Sequence, residues 1–113
     1  MNKPSILVVD DEPLNLKLSA ESLSPYYTVH LARNGKDALT YLEHNRVDIV
    51  LLDIIMPEMD GFETAAKIHN LPNNVQTPII YLTSDDSDET IEKAFTAGAV
   101  DYLSKPFRKK ELL

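Results

Sequence analysis

Ile49-Val50-Leu51-Leu52-Asp53 is the stretch on which the fold turns. Four apolar residues in an unbroken run read as a strand buried on both faces, as in the middle of a parallel sheet. Two further runs have the same form: Ile6-Leu7-Val8-Val9, leading into Asp10-Asp11, and Ile79-Ile80-Tyr81-Leu82, leading into Thr83-Ser84. Tyr27-Thr28-Val29-His30-Leu31 alternates, and Val100-Asp101-Tyr102-Leu103 is short and mixed. Both suit sheet edges, where one face is partly wet.

Helical patterns lie between the runs. Pro13 suits the first turn of a helix carrying Leu14, Leu16, Leu18 and Leu23. Ala38, Leu39 and Leu42 follow Asn34-Gly35, and Phe62, Ala65 and Ala66 follow Gly61, at helical spacing. Ile91, Ala94 and Phe95 recur at i, i+3 and i+4, with Asp86 and Glu89 as a capping box and Gly98 as a stop. Strand and helix thus alternate five times, which implies a parallel sheet with right-handed crossovers and helices on both faces. The expected fold is α/β: a doubly wound five-stranded parallel sheet, order 2-1-3-4-5, flavodoxin-like (βα)5. The last helix starts near Phe107 or Arg108 and reaches Leu113 after little more than a turn. A packing helix usually runs about 11–12 residues, so residues 1–113 are expected to be one domain of a longer protein.

Composition bounds the function. The apolar fraction of 43% supports a real core, and no apolar run approaches the ~20 residues of a membrane span. The start, Met1-Asn2-Lys3-Pro4, lacks signal-peptide organisation, and the absence of cysteine excludes a disulfide scaffold and thiolate metal sites. A cytoplasmic domain without membrane contact is expected. The formal charge of −7 argues against direct nucleic-acid binding, which needs a basic face.

In doubly wound sheets, ligands sit beyond the carboxyl ends of the strands, at the switch point between the first and third. Asp10-Asp11, Asp53, Thr83-Ser84 and Ser104-Lys105-Pro106 all fall at such ends. Three carboxylates, a hydroxyl and an ammonium therefore converge on one mouth. Two carboxylates ~4 Å apart repel by roughly 4 kcal/mol at an effective dielectric of about 20. Lys105 supplies one compensating charge, and a hard divalent ion supplies the rest. Mg2+ commonly takes one or two carboxylates plus phosphate oxygens and water, and Mn2+ is a substitute. Asp53, central and at the end of the most hydrophobic strand, is the nucleophile candidate, since carboxylates act as covalent phosphoryl acceptors. Thr83 can donate to one phosphoryl oxygen while Lys105 neutralises another.

The segments ILVVDDEP, IVLLDIIMPEMDG, PIIYLTS and AGAVDYLSKPF, in order and in register, resemble the response-regulator receiver domains of two-component signalling, the CheY-like superfamily. The resemblance runs from about Ser5 to Phe107. It implies that Asp53 is the phosphorylated aspartate and Asp10 and Asp11 the metal-binding pair, with the backbone carbonyl of Ile55 as a further ligand. It also implies phosphoryl contacts from Thr83 and Lys105, and a cis Lys105-Pro106 bond that aims the lysine. Tyr102 matches the aromatic switch residue, whose ring turns inward when Thr83 moves toward the phosphate. That motion reshapes the face of the fourth helix, fifth strand and fifth helix, where partners or a second copy dock. The implied phosphodonor is a sensor histidine kinase or histidine phosphotransfer protein. Ser84 departs from the small apolar residue common after the threonine. Ile55 and Asp85 occupy positions that tune dephosphorylation.

Blander readings exist for single residues. Asp10 or Asp11 could cap the first helix, and Tyr102 could be a plain edge-strand tyrosine. His30, His44 and His69 show neither metal spacing nor a paired nucleophile. A haloacid-dehalogenase-type hydrolase needs its nucleophile in a D-x-D pattern after the first strand, where this chain has adjacent Asp10-Asp11. A flavin site needs backbone donors where this chain offers two carboxylates. A degenerate docking receiver is disfavoured by intact Asp53, Thr83 and Lys105. The expectation is an acceptor that catalyses only its own phosphorylation and dephosphorylation.

Overall fold

A computed structural model describes residues 3–54, 56–83, 93 and 101–104. Its elements are β1 (Ser5–Val9), α1 (Pro13–Leu23), β2 (Thr28–Ala32), α2 (Gly35–His44), β3 (Ile49–Asp53), α3 (Gly61–Ile68), a 3-10 turn (Pro72–Asn74), β4 (Ile79–Thr83) and β5 (Asp101–Ser104). The strands are parallel in the order β2-β1-β3-β4-β5, as expected of a doubly wound sheet. The expected fourth and fifth helices, including Ile91, Ala94, Phe95, the Asp86–Glu89 box and Gly98, lie outside the described residues, apart from helical Lys93.

The continuous apolar runs are explained by burial on both faces. Leu7 and Val9 of β1, Val50 and Leu52 of β3, and Ile79 and Tyr81 of β4 pack with α2 and α3 residues Ala38, Leu42, Ala65 and Ile68. Their neighbours Ile6, Val8, Leu51, Ile80 and Leu82 point the other way, onto Leu16 and Leu23 of α1. Each fully buried valine, leucine or isoleucine among them stabilises by about 1.5–3 kcal/mol. Truncating Leu51, sealed between sheet and helix, therefore breaks more than surface packing.

Two helix faces differ from the sequence expectation. In α1 the inward residues are Leu16, Ser19 and Leu23, while Leu14 and Leu18 are 63% and 50% exposed. Helical geometry dictates this: at about 100° per residue, 16, 19 and 23 share a face and 14 and 18 lie off it. In α3 the inward residues are Thr64, Ala65 and Ile68, and Ala66 faces out. The edge strand β2 is set one residue later than its alternating run suggested, ending on buried Ala32.

The helix starts are fixed locally. Asn34 accepts from the Asp37 amide at 2.7 Å to cap α2, and Asp60 accepts from the Glu63 amide at 2.9 Å to cap α3. Pro13 opens α1 after Glu12, whose side chain makes no capping bond. At the far end of the sheet, buried Asn74 ties three segments together. It donates to the carbonyls of Leu42 (2.9 Å) and Asn45 (3.1 Å), and its Oδ1 accepts from the Thr77 hydroxyl at 2.8 Å. That arrangement closes the C-terminus of α2 over the strands and frees the opposite end to carry polar groups. Among the described residues no helix is long and apolar enough to cross a membrane.

Candidate functional site

The parallel register brings the carboxyl ends of the strands level. Val9 pairs with Ala32 on one side and Leu52 on the other, so the next residues, Asp10 and Asp53, emerge side by side. The Asp10 amide continues the ladder by donating to the Ala32 carbonyl at 3.1 Å, and the Ile54 amide donates to the Leu82 carbonyl at 3.1 Å. These backbone bonds hold the two carboxylates at the top of the sheet. Asp10 is 1% exposed and Asp53 3%, while Asp11 is exposed.

Carboxylate oxygens of Asp10, Asp11 and Asp53 all lie within 4.8 Å of one another. At that separation, and an effective dielectric of about 20, each pair repels by about 3 kcal/mol. Burial of two members makes water a poor compensator. Hard oxygen donors at this spacing, with one open to solvent, fit a small divalent cation that keeps part of its own shell. Neither aspartate occupies the N-cap position of α1, although Asp10 Oδ1 accepts from the amide of Glu12 at 3.0 Å. Glu12 holds that position, directly before Pro13.

Of the residues singled out by sequence, the structure brings together Asp10, Asp11 and Asp53. It places the backbones of Thr83 and Tyr102 in β4 and β5, with Thr83 opposite Ser104 and Tyr102 opposite Tyr81. The side chains of those two, and all of Ile55 and Lys105, lie outside the described residues, as does the Lys105-Pro106 bond. Two of the three histidines have structural partners: His30 packs against Tyr41 with ring centroids 5.1 Å apart, and His69 Nε2 donates to the Thr77 carbonyl at 3.1 Å, while His44 lies in the last turn of α2.

Three features around the site escaped the sequence reading. Glu58, in the loop after Asp53, has φ 68°, in the left-handed region that favours glycine, and the Met59 amide donates to the Pro57 carbonyl across it at 2.8 Å. Gly61 packs directly on the backbone of Asp53 and Ile54. Tyr81 is fully buried in β4, its ring inclined at 55° to that of Phe62 with centroids 5.0 Å apart, and Lys93 sits 4.7 Å over the Phe62 ring. Among the described residues its hydroxyl has no hydrogen-bond partner. Burial, reinforced by the negative charge of Asp60, pushes that phenol up to about 12. A glutamate between proline and methionine carries no signal of its backbone angle. The Asp60-Gly61 pair does mark a turn into a helix, which was the available clue.

The family description "Response regulator receiver domain" matches residues 6–113. The chain is 42% identical over 106 residues to a probable cyclic di-GMP phosphodiesterase of Vibrio cholerae, covering 94% of this chain and 24% of that protein. It is 41% identical over 108 residues to the heme response regulator HssR of Staphylococcus aureus, covering 95% and 47% respectively. The chain thus spans about a quarter to a half of the length of these curated relatives. Among solved structures it resembles the receiver domain of a sensor histidine kinase from Pseudomonas aeruginosa, with TM-score 0.88 and 35% identity over 97% of this chain and 91% of that one. That domain was crystallised with a magnesium ion coordinated in its active-site cleft. A sheet order of β2-β1-β3-β4-β5 with an aspartate trio at its switch point, and a profile match across nearly the whole chain, have one reading: this chain belongs to the response-regulator receiver domains, the phosphorylation-dependent switches of two-component signalling.

Proposed function

We propose that Asp53 is the phosphoacceptor of this receiver and that Asp10, Asp11, Asp53 and the Ile55 carbonyl hold Mg2+ beside it. The observation that carries the reading is the trio of carboxylates within 4.8 Å, two of them buried at strand ends. A carboxylate oxygen of Asp53 attacks phosphorus, the bond from phosphorus to the donor breaks, and an acyl phosphate forms. With a phosphohistidine donor the leaving imidazole nitrogen takes up a proton. Bound Mg2+ supplies charge neutralisation for phosphoryl oxygens as they approach three carboxylates. Thr83 donates a hydrogen bond to the phosphoryl group and Lys105 neutralises it. Hydrolysis returns the carboxylate and releases inorganic phosphate, so the domain acts on itself as a timer and turns over no other substrate.

The donor in this reading is a sensor histidine kinase or a histidine phosphotransfer protein in the cytoplasm. Phosphorylation draws Thr83 inward, Tyr102 follows, and the surface built on β5 and its flanking helices changes its affinity for a partner or a second copy. The net charge of −7 disfavours direct contact with nucleic acid by this domain.

The test is intact mass after incubation with acetyl phosphate and Mg2+, beside Asp53→Asn and a chelator control. One phosphoryl adduct that requires both Asp53 and the metal is expected. An adduct that persists in Asp53→Asn moves the acceptor elsewhere, and no adduct despite demonstrated Mg2+ binding leaves only a docking role.

A further inference from the structure

The loop that leaves Asp53 returns to it eight residues later. Gly61, the first residue of α3, donates its amide to the Ile54 carbonyl at 2.8 Å, and the Ile54 amide donates onward to Leu82 in β4. A Cβ on Gly61 would collide with the Asp53 carbonyl oxygen and lie 2.8 Å from the Ile54 Cα and 3.1 Å from the Asp53 carbonyl carbon. All three obstacles are main-chain atoms in a sheet ladder, which cannot rotate aside. The constraint is space rather than conformation, because only close approach of two backbones demands a residue without Cβ here.

Gly35 offers an internal comparison. A Cβ there would meet the Thr64 hydroxyl and lie 2.8 Å from Met59 Sδ and 3.3 Å from its Cγ. These are side-chain atoms: the methionine is flexible enough to yield, and the buried Thr64 hydroxyl gives way by loosening its 2.8 Å bond to the Asp60 carbonyl. Two buried glycines thus face equal crowding against different kinds of obstacle.

We propose that Gly61 is a positioning residue for Asp53. Its missing side chain lets the first turn of α3 press on the Asp53–Ile54 peptide, and that contact sets where the Asp53 carboxylate lies relative to Asp10 and Asp11. The inference rests on the reading of Asp53 as phosphoacceptor. A side chain at 61 displaces either the peptide or the helix, and displacement of a reacting group by ~1 Å can cost about a hundredfold in rate.

The experiment compares Gly61→Ala with Gly35→Ala in the whole chain. It reads the rate of adduct formation from acetyl phosphate per folded molecule, and the backbone amide resonances of Asp53, Ile54 and Leu82 without any phosphodonor. Gly61→Ala is expected to react roughly ten- to a hundredfold more slowly, with those resonances moved, and a stabilising osmolyte restores folded protein but not the rate. Gly35→Ala loses stability while keeping both rate and resonances. A wild-type rate with unmoved resonances in Gly61→Ala overturns the proposal. If the wild type takes no phosphoryl group, the functional reading fails and the resonances alone decide the positioning. If Gly61→Ala does not fold even with osmolyte, hydrogen exchange of the wild type decides. A Gly61 amide as protected as that of Ile54 supports the positioning contact, and one that exchanges far faster overturns it.

Discussion

Replacing Asn74 by alanine removes the fastening at the far end of the sheet from the aspartates. The side chain is 1% exposed and makes three good hydrogen bonds: two donated to the Leu42 and Asn45 carbonyls, and one accepted from the Thr77 hydroxyl. The Val47 amide also points at Oδ1, at a marginal 3.5 Å. At about 1 kcal/mol net per bond, the three sum to about 3 kcal/mol. Stranding two carbonyls at the end of α2 pushes the loss upward, and a water entering the vacated space pulls it down, which brackets the cost at about 2–4 kcal/mol. Against a total stability of about 5–15 kcal/mol this is a large share. With an unfolding entropy of ~2.1 cal/mol/K per residue, a chain of this length melts about 13 °C lower for 3 kcal/mol.

Urea and thermal unfolding check the figure, and Asn74→Asp checks its mechanism. Aspartate keeps the acceptor for Thr77 but turns a carboxylate oxygen toward two carbonyls. Burial against those carbonyls raises its folded-state pKa, so the folded variant binds the proton more readily than the unfolded one. Its deficit relative to wild type is therefore largest at neutral pH and shrinks as pH falls toward the carboxylate range. A loss below ~1 kcal/mol for Asn74→Ala would refute the accounting. A deficit in Asn74→Asp that ignores pH would refute the orientation of the amide. In either variant, adduct formation at Asp53 per folded molecule stays at the wild-type rate, because the network and the acid trio sit at opposite ends of the strands.

Tyr81→Phe removes a buried hydroxyl that has no partner among the described residues, and it is expected to raise stability by about 1 kcal/mol at pH 7. The phenol's folded pKa of about 12 lies above its ordinary 10.0, so the unfolded chain ionises first and wild-type stability falls as pH climbs from 10 to 12. The phenylalanine variant lacks that component, and urea melts at pH 7 and 11 that fall in parallel for both proteins would contradict it. Glu58→Gly relieves a left-handed residue worth about 1–2 kcal/mol but adds freedom to the unfolded chain, for a net gain of about 0.5–1 kcal/mol in a thermal melt. Glu58→Val at the same φ loses at least about 1 kcal/mol, and equal melting of the two variants would show the turn to be unstrained. Asp11→Asn removes one charge of the trio and is expected to weaken Mg2+ binding roughly tenfold by calorimetric titration. An unchanged affinity would take Asp11 out of the metal site.

What the sequence revealed, and what it hid, divides along a physical line. Strands β1, β3 and β4 were legible because a strand buried on both faces must be apolar at every position, a constraint written in consecutive residues such as Val50-Leu51-Leu52. The acid trio was legible because parallel strands all release their chains at one end, so carboxylates after the apolar runs of β1 and β3 are enough to predict convergence. In α1 the leucines at 14, 16, 18 and 23 are alike in type, and only the helical angle separates the buried 16 and 23 from the exposed 14 and 18. Asn74 was invisible for a different reason. A polar residue after Pro72-Asn73 reads as a solvated turn, and its burial depends on two carbonyls that α2 delivers from about thirty residues upstream. Gly61 read only as a helix start, since its close partner is the backbone of Asp53, which any sequence possesses. The legible part is therefore what each segment needs for itself. The hidden part is what one segment's main chain demands of another's side chain, and at Gly61 that demand is made by the backbone of Asp53, a member of the acid trio.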